Sequence, residues 1–223
     1  MPRTARAIRG GWCYHVMNRG NNRATVFATQ NDYLEFLGLM VEAQSRHALD
    51  LLAVCLMPNH FHLVARPAGD LGLSEWLHWL LTTHVRRHHG RRQSSGRVWQ
   101  GRFKAFPIEQ DGHLLTVIRY VERNALRAGI VGRAEKWPWG SLAWRCGRYP
   151  GLALADSPVE LPSGWIEYVN APQTSEELDA VRRCATREQP FGSDGWAVDA
   201  TQALGLTAIR AGRGRPRRSR PTP

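Results

Sequence analysis

The sequence offers a pair of histidines separated by one residue, His60 and His62, in the run LMPNHFHLV. Alternate side chains of an extended strand point to the same face, so the two imidazoles would project together while Phe61 enters the opposite face. Two imidazoles can bind one divalent metal ion, but a pair of ordinary hydrogen-bonded histidines is an open alternative. A metal site would also need a third ligand and a reactive group. His15, in another predicted strand, is either a polar neighbour of this site or, as is more common for a strand histidine, structural, and it is left out of the metal set.

A predicted helix from residue 111 to residue 129 can supply both groups. At about 100° per residue it carries a narrow apolar stripe, formed by Leu114, Ile118, Val121 and Ala125. Tyr120 lies to one side of this stripe, with Asn124 and Arg127 on the same flank one and two turns along. A phenol, an amide oxygen and a guanidinium can therefore face one site. Taken alone, the helix favours a boundary tyrosine with solvated neighbours.

These residues belong to a predicted βαββαβ series followed by the helix just described. Strands are predicted over 12–19, 49–57, 61–66 and 98–109, and helices from Asn31 or Asp32 as the cap and from 73 to 90. The first of these helices should bury Tyr33, Phe36, Leu37, Met40, Val41 and Gln44. This order indicates an α+β fold of the ferredoxin-like, split βαβ type, with an antiparallel sheet and helices packed on one face. The tyrosine stands on an added helix.

Composition divides the chain into four parts. Residues 1–146 form the main domain, residues 147–162 a linker rich in Gly and Pro, residues 163–209 a small helical extension, and residues 210–223 a basic flexible tail. The extension contains a capping box, Thr174 to Glu177, and is expected to form two helices, one through Cys184 and one over 196–204. In the tail, Arg213 and Arg215 flank Gly214 as in an AT-hook, which binds the minor groove. A merely solvated basic tail is an equal alternative.

The formal net charge is +11 at pH 7, and it is unevenly distributed. Residues 1–150 and 201–223 are basic, whereas residues 151–200 are acidic. Basic blocks of this kind predict a polyanionic partner, nucleic acid. The sequence contains no apolar run of about 20 residues and no signal peptide, so we expect no membrane association and a cytoplasmic, nucleoid-associated protein. Its scattered cysteines, without a CxxC pair, predict neither a zinc ribbon nor disulfides.

The stretch from Trp76 to Ile108 has no acidic residue, and its cations predict a phosphate-binding surface. They are Arg86, Arg87, Arg91, Arg92, Arg97, Arg102 and Lys104. Trp99, beside Arg102 and Lys104, would stack a base while the cations hold phosphates. Packing of Trp99 in the core is an equally good alternative.

Four motifs occur in the order found in one known family. They are Tyr14-His15-Val16 with Asn18-Arg19, the segment from Leu56 to Val64, the segment from Trp99 to Lys104, and the segment from Arg119 to Asn124. Together they resemble the REP-associated tyrosine transposases of the HUH single-tyrosine transposase superfamily. The resemblance covers about residues 3–145, and residues 165–217 look like the C-terminal extension of that group.

The resemblance implies a set of roles. Tyr120 would be the nucleophile that forms a 5′-phosphotyrosine, and His60, His62 and Asn124 would hold Mg²⁺ or Mn²⁺, which suits an amide oxygen and phosphate oxygens. Residues 1–146 would be the HUH-type catalytic domain. The substrate would be single-stranded or hairpin DNA with a repetitive extragenic palindrome, and Arg19 would help to read its foot. Many relatives have Asn-Pro where this chain has Asn124-Ala125, so we expect the helix to continue there.

Two other functions remain open. A non-catalytic DNA-binding regulator would keep the scaffold and the basic surface, although the four intact site residues argue against it. An RNA-binding ferredoxin-like module would need the aromatic strand signature of an RRM, which this sequence lacks. A monomer and a homodimer are both compatible with the sequence.

Overall fold

A computed structural model describes residues 7–148 and 151–206. At its centre is a four-stranded sheet in which every neighbouring pair is antiparallel and the order is β2-β3-β1-β4. The strands are β1 Cys13–Arg19, β2 Leu49–Met57, β3 His60–Pro67 and β4 Lys104–Ile108. The helices of the main domain are α1 Gln30–Arg46, α2 Gly72–Arg92, α3 Gly112–Glu122, α4 Asn124–Arg127 and α5 Ser141–Arg145. The predicted ferredoxin-like α+β fold is confirmed.

The two faces of the sheet have separate hydrophobic clusters, because successive strand residues point to opposite faces. Phe61 and Leu63 of β3 pack with Tyr14 of β1 and with α1 and α2. Val64 of β3 packs with Cys13 of β1 and with α3. The added helix α3 therefore lies on one face of the sheet, and α1 and α2 lie on the other. His60 and His62 are on the same face as α3.

Helix α1 begins earlier than the sequence predicted. Its N-cap is Thr29, whose hydroxyl accepts from the Asp32 backbone, while the Asp32 carboxylate accepts from the Thr29 backbone at 2.9 Å. Asp32 is therefore the third residue of the helix and forms a capping box with Thr29, so the prediction of Asn31 or Asp32 as the cap was wrong. Val41 was also wrongly assigned to the buried face, because 40% of its surface is exposed.

Helix α2 and strand β4 differ in length from the predicted elements. The helix passes Gly90 and ends at Arg92, where Gln93 takes a left-handed conformation with φ 46°. Gly90 was therefore wrongly predicted as its end. The strand was predicted from residue 98, but only Lys104–Ile108 pair with β1. Trp99 makes an isolated bridge with Gly20 instead.

The tyrosine-bearing helix begins as predicted, with Asp111 accepting a hydrogen bond from the backbone of His113. It is then interrupted at Arg123, so the prediction of one continuous helix to Gly129 was wrong. Arg123 has φ −81° and ψ −5°, and its guanidinium donates to the carbonyls of Val169 and Asn170. The backbone N–H of Arg127 donates to the Arg123 carbonyl at 2.9 Å, so a helical hydrogen bond links the interruption to α4.

The C-terminal extension has three described helices where two were expected, α6 Trp165–Asn170, α7 Ser175–Arg187 and α8 Asp194–Ala203. The capping box of Thr174 and Glu177 at the start of α7 is confirmed. The extension shares the cluster of α3, to which it contributes Trp165, Val169, Val181 and Phe191. Phe191 also pairs with the outer edge of β4. The proposed boundaries of the domains stay a prediction.

The segment predicted as a linker has no helix or strand in its described residues, but it is anchored, since Leu152 is buried and Ala155 donates to the Leu51 carbonyl. Arg213 and Arg215 of the predicted basic tail lie outside the described residues. Within the described ranges, no helix is long and apolar enough to cross a membrane.

Candidate active site and metal centre

The two histidines of β3 face the same side of the sheet, as strand alternation predicted. Their ring centroids are 5.0 Å apart and their planes nearly perpendicular. In the antiparallel register, Arg19 of β1 lies opposite His60, and Met17 lies opposite His62. The sheet therefore brings a cation beside the paired imidazoles.

His15 of β1 contacts His62 directly. The Nε2 atom of His15 lies 2.9 Å from Nδ1 of His62, and both side chains are buried. Burial lowers the pKa of His15 to about 3 and the pKa of His62 well below its usual range. Both rings are therefore neutral at pH 7, and one must donate to the other. If Nδ1 of His62 donates, its Nε2 keeps the lone pair that a metal ion requires.

His60 has polar contacts on both sides. Its Nδ1 lies 2.7 Å from Oδ1 of Asn59. Because an amide oxygen only accepts, Nδ1 carries the proton and Nε2 keeps its lone pair. Burial lowers the pKa of His60 to about 4, with smaller contributions from Arg19 and Arg127, while a side-chain hydrogen bond with Asn124 acts in the opposite direction. His60 is therefore neutral at pH 7 and in contact with Asn124.

Tyr120 stands beside this group, since its ring centroid is 5.8 Å from that of His62. The guanidinium carbon of Arg127 lies 4.4 Å from the Tyr120 ring, so the two share a flank as the helical spacing predicted. Tyr120 is buried, with 5% of its surface exposed, but it lines an open cavity of about 570 Å³ together with His60, His62, Asn124 and Arg127. The helix and the strand thus meet at one cavity.

The cavity is basic. It is also lined by Met17, Arg19, Met57, Lys104, Ala128, Arg182, Ala185 and Thr186. The described lining residues include four permanent cations, those at positions 19, 104, 127 and 182, and no carboxylate. The Nε atom of Arg19 and the amide nitrogen of Asn124 are buried without a partner among the described residues. Unpaired donors and unbalanced cations suit an anionic group.

Trp99 is not available to stack a base. Only 6% of its surface is exposed, and its ring lies 5.3 Å from that of Phe61, among Phe27, Phe36 and His84. The base-stacking hypothesis for Trp99 was therefore wrong, and core packing, the other alternative, is what the structure has.

The predicted DNA-binding cations separate into groups. Arg19, Lys104 and Arg127 line the cavity, whereas Arg97 is exposed in the loop after α2 and Arg102 lines a different, apolar groove beside Phe103. Three more arginines of the stretch are neutralised by α1. Arg91 and Arg92 pair with Asp32, at 2.6 and 3.0 Å, Arg91 also pairs with Glu35, and Arg87 pairs with Glu42. A stretch without acidic residues is therefore not a stretch of free cations.

A second group of possible metal ligands, Glu109, Asp111 and His113, lies at the start of α3. These groups already have partners. Asp111 accepts from the backbone and the ring of His113, and Glu109 accepts from the backbone and hydroxyl of Ser193. They cap α3 and attach the extension.

The main domain is similar to known proteins. The family described as "Transposase IS200 like" matches residues 11–124, a segment that holds His60, His62, Tyr120 and Asn124. The chain belongs to this family of transposases.

Within that family, the predicted resemblance to REP-associated tyrosine transposases is confirmed. A relative from Haemophilus influenzae with that name is 25% identical over 122 residues, which cover 49% of this chain and 69% of the relative. A solved structure of a REP-associated tyrosine transposase bound to a REP hairpin matches with a TM-score of 0.51 and 18% identity, over 72% of this chain and 95% of that one. At this identity the structural match shows the fold.

Sequence reasoning left His15 out of the metal set and did not foresee the residues that α7 contributes to the cavity. His15 shares a strand face with Met17 and Arg19, so alternation signalled its side, but only the pairing of β1 with β3 places it on His62. Arg182 and Thr186 reach the cavity from α7. Nothing in the spacing of the sequence indicated that contact.

Proposed function

We propose that this protein is a metal-dependent single-stranded DNA transesterase that cleaves and rejoins DNA at hairpin-forming palindromic repeats through Tyr120. The observation that carries the proposal is the convergence of Tyr120, His60, His62 and Asn124 on one basic cavity. The hairpin substrate is inferred from the solved relative bound to a REP hairpin.

The donor set fits a hard divalent ion. His60, His62 and Asn124 would hold it through two neutral imidazole nitrogens and an amide oxygen, since all three residues line the same cavity. Mg²⁺ and Mn²⁺ accept such mixed ligands together with phosphate oxygens. A bound ion of this kind offsets the negative charge that grows on the phosphate oxygens in the transition state.

The protein's own groups would carry the strand exchange. The phenolic oxygen of Tyr120 forms a bond to phosphorus and its proton passes to water, while the bond from phosphorus to the 3′ oxygen breaks and that oxygen takes a proton from water and leaves as a hydroxyl. The phosphate stays on Tyr120 as a 5′ ester. Attack by another 3′-hydroxyl reverses the step and joins strands without ATP. Arg19, Lys104 and Arg127 hold phosphates of the bound strand.

The test is a covalent adduct. The full chain is incubated with Mn²⁺ and a labelled single-stranded hairpin, and an adduct that resists denaturation is expected. Tyr120→Phe should abolish the adduct and leave hairpin binding nearly unchanged, because only the nucleophilic oxygen is lost. Tyr168→Phe, which alters an exposed tyrosine of α6, is the matched control and should react normally.

The outcomes separate the two leading functions. Tight hairpin binding by the wild-type protein without any adduct would favour the non-catalytic DNA-binding regulator. An adduct that persists in Tyr120→Phe at a normal rate would remove Tyr120 from its proposed role.

A further inference from the structure

One wall of the catalytic cavity belongs to the C-terminal extension. Helix α7 contributes Arg182, Ala185 and Thr186 to the lining, and Nζ of Lys104 lies 3.4 Å from the Thr186 carbonyl. The family match ends at residue 124. This wall therefore consists of residues outside the matched segment.

The wall is attached to the helix that carries the tyrosine. The buried guanidinium of Arg119 donates to the carbonyls of Ala171 and Pro172, at 2.8 and 3.1 Å, and lies 3.5 Å from Glu177 of α7. One turn along, the Glu122 carboxylate accepts from the indole of Trp165 at 2.7 Å. Buried, charge-assisted bonds of this kind hold the extension firmly on α3, so α7 keeps its place beside Tyr120.

Arg182 is the cation that α7 contributes to the cavity lining, and its ion pair outside the cavity is weak. Its partner is Asp179, one turn back, at 3.5 Å, with about half of each side chain or more exposed. Exposed ion pairs at this spacing contribute little to stability, so a phosphate can replace the carboxylate. A guanidinium offers two parallel donors that match two phosphate oxygens.

We propose that Arg182 binds a backbone phosphate of the DNA strand that enters the catalytic cavity, so that the extension is part of the DNA-binding surface. The proposal rests on the proposed function for the identity of the ligand. Arg127 already contacts the Tyr120 ring, so it is the cation nearest to the phosphate that Tyr120 would attack. Arg182, another of the four cations that line the cavity, would bind a neighbouring phosphate of the same strand.

The chain contains a matched control in the next residue. Arg183 carries the same charge on the same exposed part of α7 but is absent from the cavity lining. Arg182→Gln and Arg183→Gln therefore remove the same charge at adjacent positions, and only the first removes it from the cavity. A third variant, Asp179→Asn, frees Arg182 from its ion pair.

Binding is measured by fluorescence anisotropy with a single-stranded hairpin oligonucleotide at several salt concentrations, in the full chain carrying Tyr120→Phe so that no cleavage occurs. Arg182→Gln should weaken binding about tenfold, as for the loss of one charge-assisted contact. It should also lower the slope of log K against log salt by about 0.7. Arg183→Gln should stay within about twofold, and Asp179→Asn should bind at least as tightly as the parent.

Equal losses in Arg182→Gln and Arg183→Gln would overturn the proposal, because net charge alone would explain them. Unchanged affinity in Arg182→Gln, or no hairpin binding by the parent, would overturn it as well. The proposed chemistry fails separately, since a wild-type protein that forms no adduct but loses affinity in Arg182→Gln alone would keep this inference and lose the enzyme.

Discussion

His15 stands out among the site residues because it has no proposed contact with metal or DNA, yet it touches His62 at 2.9 Å. A histidine that binds a metal through Nε2 usually donates its Nδ1 proton to a neighbouring acceptor, which fixes the ring. In the tautomer in which Nδ1 of His62 donates, the Nε2 lone pair of His15 is that acceptor. That tautomer would make His15 a positioning residue for His62.

We expect His15→Phe to weaken the binding of Mn²⁺ about 10- to 100-fold, because the ring packing against Phe106 is kept while the acceptor is lost. Calorimetric titration of Mn²⁺ measures the change. His84→Phe is the control, since His84 is also buried but packs with Phe27 and Phe36 on the other face of the sheet. Equal metal affinity in His15→Phe and the wild-type protein would show that His15 is only a packing residue.

Single substitutions can distinguish the proposed metal site at His60 and His62 from the cluster at the start of α3. His60→Ala and His62→Ala should each lose measurable Mn²⁺ binding and the metal-dependent adduct, because the remaining ligands cannot hold a hard ion in position. His113→Ala, in the cluster that caps α3, should leave both unchanged. The reverse pattern would move the metal site to the start of α3.

At the scale of elements, α3 connects the proposed active site to the extension. One flank presents Tyr120 to the cavity, while Arg119, Glu122 and the following Arg123 attach to residues 165–177. Glu122 joins α3 both to α5 and to the extension. Its buried carboxylate accepts from Ser141 at 2.6 Å, from Arg145 at 2.9 Å and from Trp165 at 2.7 Å.

Glu122→Ala should therefore lower the free energy of unfolding by about 2–4 kcal/mol, because the buried donors of Ser141 and Trp165 lose their acceptor. Denaturant titration followed by tryptophan fluorescence measures it. Glu167→Ala, which breaks an exposed pair with Arg133, should cost less than about 1 kcal/mol. Similar values for the two variants would mean that the Glu122 contacts contribute little to stability.

At the scale of the whole molecule, the net charge of +11 is only partly available for DNA. Arginines of α2 are paired with carboxylates of α1, whereas the cavity keeps four cations without a carboxylate among its described lining residues. The sequence places further arginines after residue 209 without an acidic residue among them.

Deletion of residues 211–223 removes five of those arginines. We expect lower DNA affinity and a shallower salt dependence, because fewer counterions are released on binding. Cleavage at saturating DNA should stay near the wild-type rate, since His60, His62, Tyr120 and Asn124 all lie in the main domain. An increased rate would reveal an inhibitory tail, and an unchanged salt slope would show that the tail takes no part in binding.

The sequence by itself determined what depends on local periodicity. Strand alternation put His60 and His62 on one face, and a spacing of about 100° per residue put Tyr120, Asn124 and Arg127 on one flank. The order of strands and helices was enough to predict the fold class. The boundaries of helices were predicted less accurately. A capping box at Thr29 and contacts of Arg123 with residues far along the chain decide where two of the helices begin and break.

The tertiary structure alone decided which distant groups meet. Pairing of β1 with β3 places His15 on His62, and burial between the sheet and two helices turns Trp99 into a core residue. Docking of α7 brings Arg182 to the cavity that β1, β3, α3 and α4 line. Each of these contacts joins segments that are dozens of residues apart. Local spacing carries no information about them, because they depend on how whole faces of the sheet and helices pack together.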